Sequence, residues 1–208
     1  MEVYLDEQAI AVDTSPGRTL AQVIEAGRQA AADDERVIVS IQCDGVDLVG
    51  EQLDGQLTEP ADRYQRVDLL SARAGQIVAD ALSQARTILD QADAERQRVA
   101  DLLTRGETGE AVEVMSECFG GWAQVHRALA ESIAFLGLDT AALQAGDRPL
   151  ADMLGEIREQ LTQIKEVLAV GDHVLLADIL QYEFGETTER WRQGIDAVLA
   201  AAAGPAPA

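Results

Sequence analysis

The spacing of apolar residues changes once along the chain, near residue 70. Before that point short alternating runs dominate, and period-two alternation marks half-buried strands. Val3 and Leu5 alternate with polar neighbours, Asp6-Glu7-Gln8 turns the chain and Ala9 to Val12 returns, which predicts a hairpin over 2–12. Asp13-Thr14-Ser15-Pro16-Gly17 is loop chemistry. Thr19 with Gln22 three residues on forms a capping box, and Leu20, Val23, Ile24 and Gly27 follow at helical spacing. A helix over 19–32 is expected, ending at Asp33-Asp34-Glu35. The β-branched run Val37 to Cys43 predicts a strand, and Asp44-Gly45 a hairpin turn into a short return strand over 46–49. Residues 50–62 are polar and irregular, with Pro60. Arg63 to Leu70 completes the set as a strand with Val67 and Leu69 on one face.

From Ser71 onward the period is helical throughout. In a helix of about thirty residues Ala74, Ile77, Val78, Ala81, Leu82, Ala85, Ile88, Leu89, Ala92, Val99, Leu102 and Leu103 mark one apolar face, while Arg73, Asp80, Arg86, Asp90, Glu95 and Arg98 face water. Arg105-Gly106 stops it. A second helix over 110–138 turns Val114, Met115, Cys118, Phe119, Trp122, Val125, Leu129 and Ile133 inward. Gly120-Gly121 in its middle costs about 1 kcal/mol per residue relative to alanine, so a close helix contact or a kink is expected there. After Gly146-Asp147-Arg148-Pro149 a third helix uses Leu150, Leu154, Ile157, Leu161, Ile164 and Leu168. Gly171 closes it, Asp172 caps a fourth that runs to about Ala202, and 204–208 reads as a disordered tail.

The densest apolar run, Asp172 to Phe184, divides when projected at about 100° per residue. Leu176, Leu180, Phe184, Trp191, Ile195 and Val198 share one stripe. Leu175, Ile179 and Tyr182 form a second patch, with Asp178 at its edge. That patch either packs inside the protein or forms an interface, with Asp178 fixing register.

The expected fold class is therefore α+β: a small ββαββ domain over 1–70 and an all-α antiparallel bundle of about four helices over 71–203. The order hairpin, helix, strand, short strand, strand resembles the β-grasp fold of ubiquitin-like domains. That resemblance is one of element order and implies a binding module at most.

Charge narrows the partners. The chain of 208 residues carries 37 Asp and Glu against 16 Lys and Arg, a formal net charge of −21, spread over both halves. Such a surface repels nucleic acid and anionic lipid at long range, so neither is expected as a partner. No apolar run approaches the roughly 20 residues that span a bilayer, and no basic-then-apolar secretion signal is present, so a cytoplasmic location is expected. Cys43 and Cys118 lie far apart among apolar neighbours and read as reduced core residues.

Catalytic and cofactor motifs are lacking. A bundle carboxylate–metal site needs Glu-x-x-His pairs, but His126 is preceded at that spacing by Ala123 and His173 by Val170, so no metal is expected. Neither a P-loop nor a dinucleotide fingerprint occurs, and no cofactor is expected. The resulting expectation is a non-enzymatic acidic adaptor that self-associates through the helical domain and holds a protein partner, with Leu175, Asp178, Ile179 and Tyr182 as the candidate interface. One alternative is a helical chaperone of secretion or flagellar export. Another is an enzyme with an interdomain site near Asp172 and His173, joined by Asp178.

Overall fold

The computed structural model describes residues 1–32 and 36–204. The expected acidic stop at Asp33-Asp34-Glu35 and most of the expected tail lie outside those residues. The chain divides into two compact units, Met1–Ile77 and Val78–Ala208.

The first unit contains β1 (Glu2–Leu5), β2 (Gln8–Ala9), α1 (Leu20–Ala32), β3 (Arg36–Cys43), β4 (Val46–Asp47), α2 (Glu51–Gln56) and β5 (Arg66–Arg73). Its sheet runs β2-β1-β5-β3-β4, with β1 parallel to β5 and β3 antiparallel to it. Leu20, Val23 and Ile24 of α1 bury against Val3, Ile41, Val67 and Leu69 on one face. This is the expected β-grasp-like arrangement. The capping box forms as read: the Gln22 amide donates to Thr19 Oγ1 and the Thr19 amide to Gln22 Oε1.

Several boundaries differ from expectation, and the return strands β2 and β4 are shorter than read. Helix α2 forms inside the segment read as irregular; none of its residues is buried, so it leaves no amphipathic signal. The segment beginning at Arg63 starts as a short 3-10 turn, Ala61–Arg63, and β5 runs on to Arg73 because Ser71 is tied down. Its amide donates to Asp6 Oδ1 (2.8 Å) and its hydroxyl to Oδ2 (2.6 Å). Those bonds hold the Asp6 carboxyl below its ordinary range, with Arg36 assisting.

The second unit is built from α3 (Ala74–Thr104, whose first turn belongs to the first unit), α4 (Thr108–Leu136), the small hairpin β6 (Gln144–Ala145) and β7 (Arg148–Pro149), α5 (Leu150–Val170), α6 (His173–Asp178) and α7 (Phe184–Ala202). Between α6 and α7 the chain makes a π-helical stretch, Ile179–Glu183. Cross-helix contacts give the directions. Arg86 meets Asp196, Arg192 meets Asp90 and Thr188 meets Asp93, so α3 and α7 are antiparallel. Arg98 pairs with Glu110 while Cys118 Sγ donates to the Ala92 carbonyl, so α3 and α4 are antiparallel too.

Helix α7 is the central one. Trp122 of α4 stacks on Phe184 at 4.0 Å between centroids, and Met153 of α5 closes over Gly194. Of the glycine pair in α4, Gly121 marks a close helix contact, since a Cβ there would sit 3.1 Å from the Ala92 methyl, whereas Gly120 has no neighbour within 4 Å. Arg86 and Asp90, read as plain solvated surface, instead tie α3 to α7 through half-exposed ion pairs.

Candidate protein-binding surface

The turn between α5 and α6 is set by two local devices. Gly171 takes a left-handed φ of 74° and closes α5, where a side chain would meet strain. Asp172 Oδ1 then accepts the Leu175 amide at 3.0 Å and caps α6.

The four residues of the second patch separate. Leu175 (44% exposed), Tyr182 (68%) and Asp178 face solvent. Ile179 is 1% exposed and belongs to the core, as does its neighbour Leu180. The reason is the π-helical stretch. The Phe184 amide donates to the Ile179 carbonyl, five residues back, instead of the Leu180 carbonyl four back. The widened turn lets two consecutive apolar residues point inward, which a straight helical projection does not allow. The exposed strip extends instead around the turn, where Leu168, Val170 and Val174 are also solvent-facing. Asp172, Asp178 and Glu183 lie along the same exposed segment.

Behind the strip lies a buried polar network that the sequence pattern did not single out. The π register leaves the Leu180 carbonyl without its helical donor, and Arg96 Nη1 donates to it. Arg96 is 4% exposed; its Nε donates to Asp93 Oδ1 at 2.8 Å, and Thr188 Oγ1 donates to the same oxygen at 3.0 Å. Buried charge is tolerated only when paired and hydrogen-bonded, and each member here has its partner. A signal was present: Arg96 stands seven residues after Leu89, four after Ala92 and three before Val99, on the apolar stripe itself.

The remaining candidate chemistry is weak. Burial pushes the Cys118 thiol up to about 12 and the Cys43 thiol up to about 11, so neither is a thiolate nucleophile near neutral pH. His126 is exposed on α4 with its ring edge-on to Trp191 at 5.9 Å. Among the described residues no group of three or more His, Cys, Asp or Glu is arranged to hold a metal ion, and no helix is long and apolar enough to cross a membrane.

Fold and surface define a β-grasp-like unit joined to a four-helix unit with an acidic, partly apolar turn. A family model for a domain of unknown function, DUF8042, matches residues 80–194, and the chain belongs to that family. The match begins in α3, ends in α7 and contains both the exposed strip and the Arg96 network. No curated protein and no solved structure matches the chain.

Proposed function

We propose that the protein is a non-enzymatic, acidic adaptor of the cytoplasm that holds a protein partner on the exposed strip from Leu168 to Tyr182. The observation that carries this reading is a run of exposed apolar side chains from the end of α5 through α6 to the π-helical stretch, with Leu176, Ile179 and Leu180 between them in the core. Val170, Val174 and Tyr182 are each more than two-thirds exposed, and clustered exposed apolar surface marks interaction sites. Two free, buried thiols agree with a reducing compartment.

The acidic residues along the strip select the occupant. Asp172, Asp178 and Glu183 favour a partner helix whose apolar face is flanked by Lys or Arg. A second copy of this chain would bring carboxylates of the same strip, and a net charge of −21, against them.

The test uses a fluorescently labelled amphipathic helix of leucine and lysine as the probe, read by anisotropy. Replacing Leu175 and Tyr182 by serine together is expected to weaken binding about tenfold or more, roughly 1.4 kcal/mol. Val112→Ser, an exposed position on α4, serves as the control and leaves binding unchanged. Unchanged affinity in the double variant overturns the proposal. So does light scattering that shows a dimer dissolved by the same two changes, since a second copy would then occupy the strip.

A further inference from the structure

A second surface lies between α4 and α5, apart from the Leu168–Tyr182 strip. Two adjoining concavities of about 460 and 500 Å³ share His126, Ala130 and Leu161, forming one elongated groove. Each falls in the range of roughly 300–1,000 Å³ that small-molecule sites occupy. On the α4 side the groove is walled by Phe119, Trp122 and Ile133; on the α5 side by Leu154, Ile157 and Leu161. Phe119 and Ile133 stand fourteen residues apart on one helix, roughly 21 Å at 1.5 Å per residue. The shape suits a long, narrow apolar group.

Charge at the groove departs from the rest of the unit. The arginines Arg86, Arg96, Arg98, Arg105, Arg148, Arg190 and Arg192 each make an ion pair. Arg127 and Arg158 make none among the described residues, although carboxylates outnumber basic groups more than two to one. Arg158, on α5, lines the first of the two adjoining concavities and Arg127, on α4, the second. Glu131 lies four residues after Arg127 at the same rim, yet the two are not paired. Two unengaged guanidiniums beside an apolar channel call for an anionic head on an apolar tail, because guanidinium binds carboxylate in a planar, two-bonded geometry.

We infer that the α4–α5 groove binds a single-chain anionic amphiphile, a free long-chain fatty acid, with its carboxylate held by Arg127 and Arg158. An acidic amphipathic helix would satisfy the same arginines, but it would bring many charges up to a chain of net charge −21. A monoanion meets far less of that repulsion. An anionic bilayer suffers it most of all.

The chain reports on the groove itself. Its two tryptophans are Trp122, in the groove wall, and Trp191, against His126. Titration of the full chain with dodecanoate, kept monomeric, is expected to give a saturable change in tryptophan emission at one molecule per chain. Dodecanol, equal in length and uncharged, should bind about tenfold more weakly. Arg127→Gln and Arg158→Gln should each remove most of that difference, and Arg127→Lys should retain part of it. Far-UV circular dichroism confirms that the fold persists at saturation. The inference is overturned by equal affinity for dodecanol, by wild-type affinity in the Arg127→Gln, Arg158→Gln double variant, or by a response that never saturates. It is also overturned if only anionic phospholipid vesicles or an acidic amphipathic peptide produce the change.

Discussion

Arg96 shows how one residue can be decided by a distant backbone. Its guanidinium lies in the core because the π-helical stretch frees the Leu180 carbonyl at that depth, and because Asp93 one turn earlier supplies the countercharge. Removing the arginine would take from the Leu180 carbonyl its side-chain donor and from the largely buried Asp93 its countercharge, leaving Asp93 only the Thr188 hydroxyl. Arg96→Ala is therefore expected to destabilise the protein by about 3–5 kcal/mol, measured by urea denaturation, the range found for breaking one partner out of a buried pair. Arg96→Lys should recover little, since a point charge cannot serve the Leu180 carbonyl and Asp93 at once. A loss below about 1 kcal/mol would show that the network contributes no more than a surface pair. The position of Arg96 on the apolar stripe was visible in the sequence. Its burial was not, because an arginine on such a stripe ordinarily extends its stem along the core and its head into water.

At the scale of the element, the helical run from His173 to Ala202 is interrupted in register at Ile179–Glu183. The core stripe Leu176, Leu180, Phe184, Trp191, Ile195 and Val198 is buried as the projection required. Ile179 joins it only because the turn at Ile179–Glu183 holds one residue more than an α-turn. The two halves of the original patch should therefore respond oppositely. Ile179→Asp places an unpaired carboxylate in the core and is expected to abolish cooperative thermal unfolding. Leu175→Asp should change stability by no more than about 0.5 kcal/mol, as surface substitutions do. Comparable losses in both variants would mean that Leu175 is packed after all. Elsewhere, the elements that the sequence missed are too short to show a period: α2 has six residues and none fully buried, and the β6–β7 hairpin has two residues per strand, of which only Ala145 is buried.

At the scale of the whole molecule, charge dominates. Many of the ion pairs are exposed and contribute little singly, whereas 21 uncompensated negative charges act together. Their mutual repulsion is screened as the Debye length falls from about 30 Å at 0.01 M salt to about 8 Å at 0.15 M. Raising sodium chloride across that range is expected to raise Tm, and about 1 kcal/mol of relief corresponds to roughly 2–4 °C at this chain length. A Tm that falls instead would show that the ion pairs outweigh the repulsion. The amino-acid sequence alone determined what depends on periodicity and composition: the α+β class, the β-grasp-like order of elements, the helical unit, the capping box at Thr19 and the acidic surface. Tertiary structure decided what depends on which groups meet. Ile179 went inward when the backbone register changed, Arg96 found an acceptor that only the π turn exposes, and Arg127 and Arg158 came to one groove without carboxylate partners. None of these is a property of spacing along one helix, since each requires a second element to be in place.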